Sequence, residues 1–140
     1  MRCDMDTLRY TPWRPGSALV IADLLDHHKE GISVSPRQIL QRQLARLRDM
    51  GMVALVGTEL EFIVFEDTFE QAWDNGYRHM TPANRYNVDY SMLGTARVEP
   101  LLRRIRLAMA GAGMVVESAK GECNLGQHEI AFRYDEAVAC

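Results

Sequence analysis

Gly57-Thr58-Glu59-Leu60-Glu61-Phe62-Ile63-Val64-Phe65-Glu66 sets two acids into an apolar run with the alternation of a β-strand. Residues two apart on a strand share a face. Glu59 and Glu61 therefore project side by side, and Leu60, Phe62 and Val64 fill the opposite face. Two like charges at neighbouring positions of a largely buried strand are costly unless something neutralises them. A divalent cation is the usual remedy, and hard carboxylate oxygens suit Mg²⁺, Mn²⁺ or Ca²⁺. For this run alone the plainer alternative is a half-exposed edge strand with two solvated acids.

On the amino-terminal side, Ser35-Pro36-Arg37-Gln38 starts a helix. Ser35 is placed to cap, Pro36 takes the first helical position, and Gln38 completes a capping box. Ile39, Leu40, Gln43, Leu44, Leu47 and Met50 recur at helical spacing, and Gly51 ends the helix. The arginines between them read as a solvated outer face. Before the helix, Ser17 to Leu25 reads as a buried strand. His27-His28 lies in a polar turn and reads as a solvated pair, not a metal site. Residues 1–16, with Pro12, Pro15 and Gly16 around Trp13, form an extended lead-in that ends in a turn.

On the carboxyl-terminal side, Asp67 to Gly76 suits a short helix with Phe69 and Trp73 one turn apart. Tyr77 to Thr95 lacks periodicity and is rich in Pro, Asn, Tyr and Asp. Ordered loops of this kind often carry function, and Tyr86, Asp89 and Tyr90 are its candidates for substrate contact. Packed loop aromatics are the alternative. Glu99 to Gly113 reads as a second helix, with Val98, Leu101, Leu102, Ile105 and Met109 on its apolar face. Met114 to Glu122 and Gln127 to Tyr134 form a hairpin around Cys123-Asn124-Leu125-Gly126. On the return strand His128, Ile130, Phe132 and Tyr134 share one face, and Glu129, Ala131 and Arg133 the other. Asp135 to Cys140 reads as the start of a further helix.

Composition narrows the class. The chain has 140 residues, 47% hydrophobic and 25% charged, as in an ordinary globular domain. Net charge is −3 with no long run of either sign, so nothing favours nucleic acid. No apolar stretch reaches the length of a membrane span, and the first residues lack a signal-peptide core. Cys3, Cys123 and Cys140 are odd in number and widely spaced, and read as free thiols in a reducing cytoplasm.

Four carboxylates on or beside strands then need an explanation: Glu59, Glu61, Glu122 and Glu129. If they converge, cations bridged between them would suit phosphoryl transfer, where metal ions neutralise phosphate charge and position the reactants.

Gly57-Thr58-Glu59-Leu60-Glu61-Phe62, together with Lys120-Gly121-Glu122-Cys123-Asn124-Leu125-Gly126-Gln127-His128-Glu129-Ile130, resembles the glutamine synthetase superfamily. The first run matches that family's E-x-E-F strand and the second its E-x-x-x-G-Q-x-E-I hairpin. Order and separation also agree, and the likeness covers nearly the whole chain. The resemblance implies ligation: ATP phosphorylates the γ-carboxylate of glutamate, and ammonia or an amine displaces the phosphate. It implies that Glu61, Glu122 and Glu129 ligate a Mg²⁺ or Mn²⁺ on the glutamate side, and that Glu59 helps hold the ion on the nucleotide phosphates. Gly126 and Gln127 would shape the glutamate-side floor, and Tyr90 would stand near the nucleophile. It also implies a cytoplasmic enzyme that forms large homo-oligomeric rings.

Two departures qualify that inference. Lys120-Gly121 stands where glutamine synthetases proper often carry His-His, which resembles the branch of γ-glutamyl-amine ligases. Family members also run to several hundred residues. The expectation is therefore a lead-in over 1–16 and, over 17–140, the amino-terminal part of a catalytic domain that is inactive alone. A non-catalytic remnant acting as a metal-binding or interaction module is the alternative. The expected fold is α+β, an antiparallel sheet of about four strands with two main helices on one face.

Overall fold

A computed structural model describes residues 1–139, so Cys140 and its thiol lie outside the described residues. The α+β class holds, with antiparallel pairing throughout. The strands are shared among three sheets where one was expected, and the chain divides into two compact units.

The first unit holds Met1–Gly57, Gly111–Gly113 and the chain from Tyr134 onward. Its lead-in is itself a strand, β1 (Arg2–Tyr10), paired antiparallel with β2 (Ala18–Asp23). Helix α1 (Pro36–Asp49) follows. Ser35 occupies its N-cap but makes no side-chain cap bond, so the expected capping box is absent. The Gln38 side chain is engaged elsewhere: it donates to Gln41 Oε1 at 3.1 Å and lies against Gly31, where a Cβ would come within 2.6 Å of its Oε1. The arginines are also not all solvated. Arg37 pairs with Asp4 and, at 3.1 Å, with Asp23, and its side chain is only 16% exposed. His27 and His28 are exposed, their rings 3.7 Å apart. Cys3 is a free, exposed thiol.

The apolar run from Met52 to Phe65 forms two strands, separated at Gly57-Thr58. Its first piece, β3 (Leu55–Val56), pairs with β7 (Asp135–Glu136) in the first unit. The tail from Asp135 is therefore a strand and a turn where a helix was expected; its backbone is drawn into the β3 ladder, and Ala137 N–H donates to Ala54 O at 3.1 Å.

The second unit holds Thr58–Ala110 and Met114–Arg133. Its sheet runs in the order β4 (Glu59–Ile63), β6 (Gln127–Phe132), β5 (Val116–Gly121). Ile130 is fully buried on one face, beside Leu102 of α4 (Glu99–Gly111), Val98 and Ala83. Phe62, Val64, Ile105, Val116, Ala119 and Phe132 pack around them. Leu60, expected on that face, stays more than half exposed. Two short helices lie in the connection: α2 (Phe69–Asp74) and α3 (Met92–Ala96). Thr68 and Gln71 form a reciprocal capping box on α2, and Phe69 and Trp73 remain exposed. Ser91 caps α3, so the aperiodic loop ends in a helix that packs on β5. No helix among the described residues is long and apolar enough to cross a membrane.

Candidate metal centre

Antiparallel pairing places directly opposed residues on the same side of a sheet. In this sheet Glu61 faces Glu129, and Glu129 faces Lys120 on its other flank. One rung therefore reads acid, acid, ammonium across three strands. Glu59 and Gln127 lie two residues from it on their strands and share the face. Glu122 follows two residues after Lys120, where its N–H donates to Gln127 O at 3.0 Å and extends the ladder past the end of β5. The opposite face carries the core, so the fold itself forces these polar groups to one side.

Glu59, Glu61 and Glu129 each offer a carboxylate oxygen, and the three oxygens lie within 4.8 Å of one another. Glu59 and Glu61 are exposed, whereas Glu129 is 3% exposed. Gln127 Nε2 donates to Glu61 Oε2 at 2.5 Å and fixes that carboxylate's orientation. Glu129 Oε1 is buried and, among the described residues, accepts no hydrogen bond of good geometry. Its compensation is the Lys120 ammonium, 3.0 Å away. The same ammonium lies 3.7 Å from Glu122 Oε1 and 4.9 Å from the centre of the Tyr90 ring. Glu122 is thus joined to Glu129 through Lys120 and stands outside the trio of Glu59, Glu61 and Glu129.

These contacts move protonation. Burial pushes the Glu122 carboxyl above the ordinary range, helped by hydrogen bonding to Glu129 and by the charges of Asp89 and Glu129. Lys120 is raised, chiefly by its bond to Glu129. On the far face His128 is fully buried and burial pushes it down, against an opposing interaction with the Lys120 backbone.

Gly126 is required by the backbone. Its φ is +70°, and a Cβ there would sit 2.6 Å from Val64 O. Gly126 O accepts from Val64 N–H at 2.9 Å, which ties the hairpin turn to the end of β4. Gly121 has a related reason: a Cβ would meet Thr95 Oγ1 at 2.6 Å, so glycine lets α3 approach β5. Tyr90 holds a left-handed backbone at φ +53° and reaches the site through Lys120. Tyr86 is exposed, and neighbouring Asn84 organises that turn by accepting from its N–H at 2.9 Å. Sequence reasoning singled out Lys120 only as a departure from a motif. Its part in the cluster becomes visible once β5 and β6 are put in register. The signal was there: a lysine two residues before one acid and across the turn from another.

The residues fit a hard divalent cation. Three carboxylate oxygens lie close enough to share one ion, and one of them belongs to the buried Glu129, whose charge needs a neighbouring cation.

A family model described as glutamine synthetase, catalytic domain, matches residues 33–140. The γ-glutamylethanolamide synthetase of Streptomyces coelicolor is 67% identical over 138 residues, which are 99% of this chain and 30% of that protein. The glutamine synthetase of Halobacterium salinarum is 33% identical over 99% of this chain and 30% of its own length. A glutamate–isopropylamine ligase from a Pseudomonas species is 28% identical over 96% of this chain and 29% of its own length. Among solved structures, a GmaS–ADP complex superposes with a TM-score of 0.78 at 21% identity, over 98% of this chain and 30% of that one, which speaks for the fold alone. This chain thus spans about 30% of the length of the relatives it matches.

Proposed function

The chain belongs to the glutamine synthetase family, and from that premise we propose that its acidic sheet face is the glutamate-side part of an ATP-dependent carboxylate–amine ligase. The observation that carries this reading is the convergence of carboxylate oxygens of Glu59, Glu61 and the buried Glu129 to within 4.8 Å of one another. Glu61, Glu122 and Glu129 would hold a Mg²⁺ or Mn²⁺. Glu59 lies on the nucleotide side of the same cluster. An ion held there would supply electrostatic stabilisation for phosphoryl and acyl transfer. Gln127 orients Glu61 by its hydrogen bond, and Gly126 lets the turn pass close to β4. Tyr90 presents its ring where the attacking amine would approach.

In the reaction a γ-carboxylate oxygen of glutamate bonds to the terminal phosphorus of ATP and ADP leaves. The amine nitrogen then bonds to the carbonyl carbon of the γ-carboxyl group, that carbon's bond to the phosphate oxygen breaks, and the nitrogen sheds a proton. An amine acceptor in place of ammonia is supported by Lys120-Gly121 and by the 67% identity to a γ-glutamylethanolamide synthetase. Because the chain spans about 30% of such relatives, the 140 residues alone should not turn over. The test is a chimera in which this chain replaces the matching segment of the Streptomyces coelicolor enzyme. Ethanolamine-dependent phosphate release should persist, and should be lost on adding Glu61→Ala and Glu129→Ala. A folded chimera without activity, or one indifferent to those substitutions, would overturn the assignment.

A further inference from the structure

Lys120 is the feature of this face that ligation chemistry leaves unexplained. Its ammonium stands opposite Glu129 on the central rung, 3.0 Å from the buried Glu129 Oε1 and 3.7 Å from Glu122 Oε1. A buried carboxylate beside other acids needs a positive charge, and one removed from its partner is strongly destabilising. Here the chain supplies that charge from its own β5. A divalent ion shared by Glu61 and Glu129 would need the same carboxylate. Two cations held against one carboxylate repel each other, more strongly the closer they stand. Lys120 also has a second seat. The face of the Tyr90 ring lies 4.9 Å from its nitrogen, within the range at which an aromatic ring attracts an ammonium. The Lys120 side chain is about one third exposed, so a four-carbon stem can swing without unpacking the core.

We propose that Lys120 is the resident counter-cation of this site: it neutralises Glu129 and Glu122 when no divalent ion is bound, and it must release Glu129, towards the Tyr90 ring, for an ion to enter. The idea rests on the metal-centre reading above and assigns Lys120 the role of a positioning residue that sets cation affinity. It requires charge and not shape. Removing the ammonium should tighten ion binding, although a neighbouring side chain is lost. Replacing it by another cation should leave affinity nearly unchanged.

The test compares the whole chain with its Lys120→Met, Lys120→Gln and Lys120→Arg variants, and with a Glu61→Ala, Glu129→Ala blank. Free Mn²⁺ is read by electron paramagnetic resonance at fixed ionic strength. Lys120→Met and Lys120→Gln should bind Mn²⁺ about tenfold more tightly than wild type, within the usual range of coupling between two ligands of one site. Lys120→Arg should stay near wild type. In a second readout, Mg²⁺ should shift the Lys120 ammonium nitrogen resonance of the wild-type chain, assigned by its loss in Lys120→Met. Equal or weaker binding by both neutral variants, or an ammonium resonance that ignores Mg²⁺, would overturn the lysine's role and leave the metal centre standing. Absence of saturable binding in every form would overturn both.

Discussion

His128 shows how the two faces of one strand obey different rules. It neighbours Glu129 in sequence, yet its ring points into the core beside Phe62, with centroids 6.3 Å apart. Neither ring nitrogen has a hydrogen-bond partner among the described residues. An unsatisfied buried polar group costs about 1–3 kcal/mol, so His128→Leu should raise stability by about 1 kcal/mol in denaturant melts. The sign of the pH effect follows from the depressed affinity for protons. The unfolded chain protonates this histidine near its ordinary value of 6.5 while the folded chain resists. Its contribution is therefore full above about pH 6.5 and is lost as pH falls towards the folded value. Stability of the wild type relative to His128→Leu should decline through that window, and a constant difference from pH 8 to pH 5 would refute the assignment. In the sequence this histidine was placed on the apolar face by alternation alone. Its lack of partners could not be read, because that depends on what lies above it.

Elements were legible wherever local chemistry fixes them, and partners were not. The Glu59–Phe62 alternation and the turn at Gly126 are written into adjacent residues, and β4, β5 and β6 follow them closely. The break at Gly57-Thr58 is not marked by any change in local strand character; what separates the two pieces is that β3 pairs with β7 and β4 with β6. Long-range pairing also explains the lead-in: the polar–apolar alternation of Arg2–Asp6 changes phase before Leu8–Tyr10, and β1 becomes one strand by bonding to β2 across a register shift between Asp4 and Arg9. Arg37 is the same lesson in charge. Helical periodicity put it on a solvated face, but Asp4 and Asp23 meet it from the hairpin. Both carboxylates are partly buried, so Arg37→Met should cost about 2 kcal/mol, below the roughly 3–5 kcal/mol of breaking a fully buried pair. A thermal melt that is unchanged would show the cluster to be solvated after all.

At the scale of the molecule, every residue of the candidate centre lies in one unit, from Glu59 through Tyr90 to Glu129. The acids are set on one sheet and need no second body to bring them together. Which acids would meet was only half legible. Two runs of sequence supplied four carboxylates, but the register decides that Glu59, Glu61 and Glu129 converge while Lys120 stands between Glu129 and Glu122. The central claim is that this face is built for a divalent cation, and calorimetric titration of the chain with Mn²⁺ tests it most directly, with the Glu61→Ala, Glu129→Ala variant beside it. Saturable binding by the wild type that disappears in the variant, with both chains folded by circular dichroism, is the predicted result. A folded wild type that takes up no Mn²⁺, or a variant that binds it equally well, would contradict the claim.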